Sequence, residues 1–170
     1  AGVDLLRSKS MDRNSYDSGD WFNRLDWTYQ DNFFATGLPP KADNGEQYPL
    51  IRPLLADPAI KPGPAEIAWM RDAFRDLLKI RASSTLFRLP TAEAVQQRLS
   101  FPGAGPAQNP ALVVGRLDGS GLAGAGFRAL LYAINSSSTA QSLQLPDEAE
   151  QPWILHPVHR HPAAADRRVA

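Results

Sequence analysis

The amino-acid sequence predicts an α+β chain, with loops and one long helix in its first half and short antiparallel strands in its second. Three observations predict it. Fifteen of the 170 residues are proline, against a usual share of about 5%, and interior proline breaks helices. One segment, 64–82, carries apolar residues at helical spacing. After Pro90 the chain breaks into short apolar runs between turn-forming residues, the texture of an antiparallel sandwich.

In chain order, residues 1–60 form a polar and aromatic stretch with little periodicity. Only Val3 to Leu6 reads as strand-like. Seven of the fifteen aromatic residues lie between Tyr16 and Phe34. A structureless loop this long is uncommon in a compact domain and is usually functional where it occurs. Residues 64–82 read as helix. Pro64 suits the first helical position, and Glu66 suits the positive end of the dipole. Ile67, Met70, Phe74, Leu77, Leu78 and Arg81 recur at three- or four-residue spacing, widened by Trp69, Ala73 and Ile80, which predicts a core-facing stripe. A short turn follows at Ser84–Leu89, then a short helix at Thr91–Gln97. Strands are expected at Arg98–Phe101, Ala111–Leu117, Phe127–Asn135, Ser142–Leu145 and Trp153–Val158. The tail from Pro162 to Ala170 is rich in alanine and arginine and has no pattern. Ala1 and the apolar step to Leu6 read as a cut into a longer chain.

Composition excludes several classes. Eighteen basic and eighteen acidic side chains leave no net charge, which argues against a basic nucleic-acid binder. The absence of cysteine excludes a disulfide scaffold, a thiolate nucleophile and a cysteine-type zinc site. No run reaches the ~20 apolar residues of a membrane helix.

Three local patterns carry candidate chemistry. Gly119-Ser120-Gly121-Leu122-Ala123-Gly124 fits G-x-G-x-x-G, with Asp147 beyond it. A dinucleotide site needs a helix opening on the third glycine between parallel strands. A glycine-rich connection between antiparallel strands is the plainer reading. His156, His159 and His161 are the three histidines, and Pro157 and Pro162 interrupt their segment. A metal site needs three or four convergent ligands, so surface positions fit them better and no metal site is assigned. The stretch Arg7 to Arg24 interleaves carboxylates, guanidinium groups and amides with aromatic rings. Sugars need this mixture: Asp accepts from paired hydroxyls, Arg and Asn donate to oxygens, and rings cover the apolar side of a pyranose. The competing reading is a polar loop capping a scaffold.

Two strings carry a resemblance, Leu5-Leu6-Arg7-Ser8-Lys9-Ser10 and Tyr16-Asp17-Ser18-Gly19-Asp20-Trp21-Phe22-Asn23-Arg24. They resemble the segment after the eighth barrel strand of pullulanase-type α-1,6-glucosidases, members of the α-amylase superfamily that include pullulanase and limit dextrinase. The likeness runs on through 64–82 and the string from Ile80 to Phe101, then weakens over Ala111–Gly119 and Leu130–Ser138.

The resemblance implies that residues 1–89 are the C-terminal end of a catalytic (β/α)8 barrel. Residues 1–6 would end strand eight, 7–63 would be its loop and 64–82 the last helix. Residues 90–170 would open a truncated C-terminal β-sandwich. It implies a C-terminal fragment of a retaining debranching hydrolase whose nucleophile, acid/base and third carboxylate lie on earlier strands. The catalytic set in this chain is therefore empty, and Asp4, Asp17, Asp20 and Asp26 are not promoted into it. By the same resemblance Asp20 and Arg24 line subsites for non-reducing-side glucose units. Arg7 and Asn23 are neighbours or supports, and Trp21 and Phe22 either stack on sugar or pack beneath the loop. The implied partners are an α-glucan (pullulan, glycogen or amylopectin limit dextrin) and the remainder of the barrel, with no nucleic acid. No cofactor is implied in this segment; any calcium of the parent enzyme would lie outside it. The sequence itself gives no location, and the resemblance favours a secreted or cell-surface bacterial one. The alternative is a non-catalytic carbohydrate-binding or structural β module.

Overall fold

The structure, a computed structural model, describes residues 1–106 and 108–168. The chain forms two compact units: Ala1–Asp76 with the tail from His161, and Leu77–Arg160.

The first unit is built from short helices and turns. Where a strand is expected, Val3–Leu5 is a single 3-10 turn closed by Leu6 in the left-handed region. Helix α1 spans Asp20–Asn23, α2 Lys41–Asn44 and α3 Tyr48–Ala56. The sequence pattern misses α2 and α3, because Pro49 in the first turn of α3 and Pro53 inside it read as breakers. Helix α4, Pro64–Ala82, forms as expected. The tail is not patternless in structure. Asp76 is buried and accepts the Ala165 N–H at 2.8 Å, and the Trp69 indole donates to the Ala165 carbonyl at 3.2 Å.

The core-facing stripe expected on α4 is realised in part, with Met70, Ala73, Phe74 and Ile80 half-buried. Ile67 is fully buried, but Leu77 and Leu78 are 57% and 50% exposed, and Trp69 is also exposed. Periodicity identifies an apolar face; what covers that face depends on neighbouring chain, and the described residues leave this part of it open.

In the second unit the 3-10 turn Thr85–Arg88 leads to α5, Ala92–Arg98, and to a three-stranded antiparallel sheet. Its strands, in spatial order, are β1 Leu99–Ser100, β2 Leu112–Asp118 and β3 Ala129–Asn135. Leu117 pairs with Leu130 and Gly115 with Tyr132. A Cβ at Gly115 would lie 2.2 Å from the Tyr132 ring, so only glycine lets that ring lie across the strand. Leu86, Leu117 and Ala125 form the core, with Phe87, Leu89, Leu99, Leu122, Leu130 and Tyr132 packed against it.

Two expected strands do not form. Ser142–Leu145 has no regular structure, and of Trp153–Val158 the first four residues have none and the last two belong to α6, Pro157–Arg160. Pro157 removes a ladder donor within the second run, and Pro146 and Pro152 bound the two runs, which disfavours extending either into a ladder. The described residues therefore make one three-stranded sheet and not a sandwich.

Candidate functional site

The glycine-rich segment is a hairpin connection. β3 follows it as an antiparallel strand, so no helix opens on Gly124. Its carbonyls are tied down from one side: Ser84 Oγ donates to Ala125 O at 2.6 Å, Thr85 Oγ1 to Ala123 O at 3.0 Å and the Thr85 amide to Gly124 O at 3.1 Å. Gly124 has φ +73°, and a Cβ there would meet Thr85 Cγ2 at 2.8 Å. The glycines serve turns and close packing, not a phosphate. Among the described residues no three His, Cys, Asp or Glu side chains converge to hold a metal ion, and no helix is long and apolar enough to cross a membrane.

The polar-aromatic loop is a built structure. Leu6, Ser10, Met11, Tyr29, Phe33 and Ala35 have left-handed backbones without being glycine, and all of the described cases fall in this stretch. Each costs roughly 1–2 kcal/mol and persists only where surrounding contacts dictate it. Buried polar side chains supply those contacts. Ser10 Oγ donates to Phe33 O at 3.1 Å and accepts the Thr36 amide at 3.0 Å. Asn32 donates to Leu6 O at 2.9 Å and accepts the Phe34 amide at 3.0 Å. Asn44 accepts the Arg13 amide at 2.8 Å and donates to Asp12 Oδ1 at 2.9 Å and to Pro40 O at 3.0 Å.

Carboxylates at the loop's edge do the same work. Asp26 accepts from the Thr28 hydroxyl at 2.5 Å and from the amides of Thr28, Gln30 and Asp31 at 2.8–2.9 Å. The Thr28 hydroxyl, then these amides, hold its pKa far below the usual carboxylate range. Burial opposes ionisation of Asp12, yet Ser18, Asn44, the Asn14 amide and Lys9 together keep its pKa low. Burial also opposes ionisation of Asp31, where Lys61 at 2.9 Å and the Phe33 amide outweigh it.

The five residues singled out by sequence divide into two groups. Asn23 and Arg7 are spent inward. Asn23 Nδ2 donates to Ser15 O at 2.7 Å and Gly19 O at 3.0 Å, and Arg7 donates to Asn23 O at 3.2 Å. Trp21 donates through its indole to Thr36 O at 3.0 Å, and its ring covers Arg24. The Arg24 guanidinium lies between two rings, 4.3 Å from the Trp21 centroid and 3.9 Å from that of Phe33. Its Nε is buried without a partner. Asp20 opens α1, is exposed, and is linked to Arg24 only through backbone, Arg24 N–H to Asp20 O at 2.9 Å. Among the described residues neither side chain makes a hydrogen bond or an ion pair.

Phe33, Ser10, Asn32 and Asn44 were not singled out by sequence. Aromatic density flags Phe33 in hindsight. The other three gave no signal, since each depends on a partner 23 to 32 residues away.

An α+β chain with an antiparallel sheet and a stiffened polar-aromatic loop is thus the class that the structure defines. Over residues 29–170 it matches the family described as "Alpha-1,6-glucosidases, pullulanase-type, C-terminal", and the chain belongs to that family. Pullulanase 1, chloroplastic, of Arabidopsis thaliana is 53% identical over 114 residues, covering 67% of this chain and 12% of that protein. Pullulanase of Klebsiella pneumoniae is 39% identical over 146 residues, covering 84% and 13%. The chain therefore spans about an eighth of the length of these relatives. The crystal structure of apo pullulanase from K. pneumoniae matches with TM-score 0.82 and 36% identity, over 94% of this chain and 17% of that one. The same enzyme complexed with maltotriose matches with TM-score 0.81 and 36% identity, over 94% and 15%.

Proposed function

We propose that this chain is the C-terminal part of a debranching glycoside hydrolase that cleaves α-1,6-glucosidic bonds in branched α-glucans with retention. In this reading the loop and α4 belong to the end of the catalytic barrel, residues 1–89, and 90–170 belong to the C-terminal β domain. The observation that carries it is the unspent pair in the stiffened loop. Arg24 is immobilised by two rings while its donors stay unused, and Asp20 stands exposed one helical turn before it. A fixed donor fork and a free carboxylate can hold the hydroxyls of one sugar in one pose. The maltotriose complex of a similar enzyme supports an α-glucan as the ligand.

Retention requires two carboxylates about 5–5.5 Å apart flanking the bond. These are assigned to the remainder of the barrel, so the 170-residue chain alone should release no reducing sugar from pullulan. In the enzyme containing this chain, Asp20→Ala or Arg24→Ala removes a hydrogen bond to a charged group, worth ~1.5–3 kcal/mol. That lowers kcat/KM for branched oligosaccharides by about one to two decades, while the pH profile of kcat stays unchanged. Wild-type kcat/KM in both variants would reduce the loop to scaffold. A profile limb displaced by a full unit would move the residue into the catalytic set.

A further inference from the structure

His156 joins three pieces of the unit Leu77–Arg160. It stands just before α6 and caps it. Its carbonyl accepts the His159 and Arg160 amides at 2.9 and 3.2 Å, and its ring Nδ1 accepts the Val158 N–H at 3.2 Å. Pro157 fills the first helical position, where no N–H is needed. Nδ1 can accept only with its lone pair free, so the proton of the neutral ring sits on Nε2. Nε2 lies 3.1 Å from Ser83 Oγ, which donates in turn to Ile80 O at 2.7 Å, in the last turn of α4. The donors therefore run one way, from the imidazole through the hydroxyl to the helix carbonyl. In that direction the nitrogen facing Ser83 already carries a proton and does not accept the Ser83 proton. On the other side the Phe127 ring, just before β3, packs against the imidazole with centroids 5.2 Å apart.

We infer that His156 is an acid-sensitive latch, which when neutral caps α6 and pins the segment 153–160 to the end of α4, and when protonated releases the cap. An imidazolium donates from both nitrogens. Protonation therefore sets Nδ1–H against the Val158 N–H, while the Ser83 contact, where Nε2 is already the donor, survives. Acid thus loosens the α6 side and spares the α4 side.

The groups facing the ring are Ser83 from the end of α4, Phe127 from the hairpin and His159 from α6. No described carboxylate acts on it to favour the charged form. Burial first, and the charge of His159 second, push its pKa below the ordinary 6.5. A group whose folded pKa lies below its unfolded value binds more protons when unfolded. The stabilisation is therefore complete above about pH 6.5 and is lost progressively as the pH falls toward the depressed folded value.

Histidine C2-hydrogen exchange followed by mass spectrometry on the whole chain tests this, read over roughly two pH units either side of 6.5. His156 is expected to titrate below 6.5. Amide protection of the 157–160 peptide should fall several-fold over the same range. His156→Asn retains a cap acceptor without a titrating group, so the pH dependence of that peptide should flatten. A His156 titration at or above 6.5 overturns the latch, as does an unchanged pH response in the Asn variant. The wild-type titration decides alone if the variant does not fold.

Discussion

Removing the Asn44 amide should unfold the loop before it unfolds anything else. Asn44 is only 2% exposed and makes three side-chain hydrogen bonds. In Asn44→Ala, Pro40 O keeps a partner, since the Asn44 backbone N–H also donates to it at 3.1 Å. Asp12 keeps Ser18 and the Asn14 amide. The Arg13 amide loses its acceptor altogether. That bond is part-buried, and leaving its donor unmade costs about 1–3 kcal/mol. Taking ~2 kcal/mol and a urea dependence of ~1–3 kcal/mol per molar, the unfolding midpoint drops by roughly 1 M. Urea unfolding followed by tryptophan emission reads this, and hydrogen exchange of the 12–24 peptide locates it.

Asn44→Asp sharpens the test. A carboxylate there cannot donate to Asp12 and instead faces it at the 2.9 Å spacing of the lost bond. Like charges raise the pair's proton affinity in the folded state above the unfolded value near 3.9. The deficit is therefore largest at neutral pH and shrinks as the pH falls through the raised pKa. An Ala variant with an unchanged midpoint and unchanged exchange at 12–24 would refute the role of Asn44 in holding the loop. An Asp variant insensitive to acid would refute its hydrogen-bond direction.

The second unit yields two further predictions. Leu86→Ala empties the centre of its core and should cost about 2–5 kcal/mol, a fall in Tm of roughly 10 °C or more for a unit this small, read by calorimetry; a shift of only one or two degrees would place the core elsewhere. Gly115→Ala drives a methyl into the Tyr132 ring and should cost about 1–3 kcal/mol. Adding Tyr132→Ala should return part of that loss in a double-mutant cycle, and strict additivity would show that the ring does not lie over the strand.

Sequence pattern exposes what local rules govern. Helix α4 is visible because nineteen residues carry a start signal and a sustained period. The hairpin β2–β3 is visible because two apolar runs flank a glycine-rich connection. The runs at 142–145 and 153–158 mislead because short apolar content imitates a strand whether or not a partner strand pairs with it. Helix α3 hides behind Pro49 and Pro53. The site splits the same way. Composition points to the stretch Arg7 to Arg24 as a whole, and only the resemblance narrows it to Asp20 and Arg24. The roles of Ser10, Asn32 and Asn44 depend on partners brought close only by the fold, and no spacing announces them.

The same split separates residues that shape the loop from residues that face outward. Six left-handed residues between Leu6 and Ala35 make this backbone costly, so any bond that fixes it is worth more than its own energy. Asn23 spends its amide on Ser15 O and Gly19 O, and Arg7 reaches Asn23 O. Asn23→Ala and Arg7→Ala should therefore lower the unfolding midpoint and, under the proposed function, lower kcat/KM of the enzyme containing this chain together. Their stability cost is about 1 kcal/mol or more for lost part-buried hydrogen bonds. Asp20→Ala removes an exposed carboxylate without a described partner and should leave stability within about 0.5 kcal/mol, while kcat/KM falls. Measured side by side, the three variants separate the roles: an Asp20 variant that loses stability as Asn23→Ala does, or an Asn23 variant that keeps its midpoint while losing kcat/KM, would invert the division between outward contact and inward support.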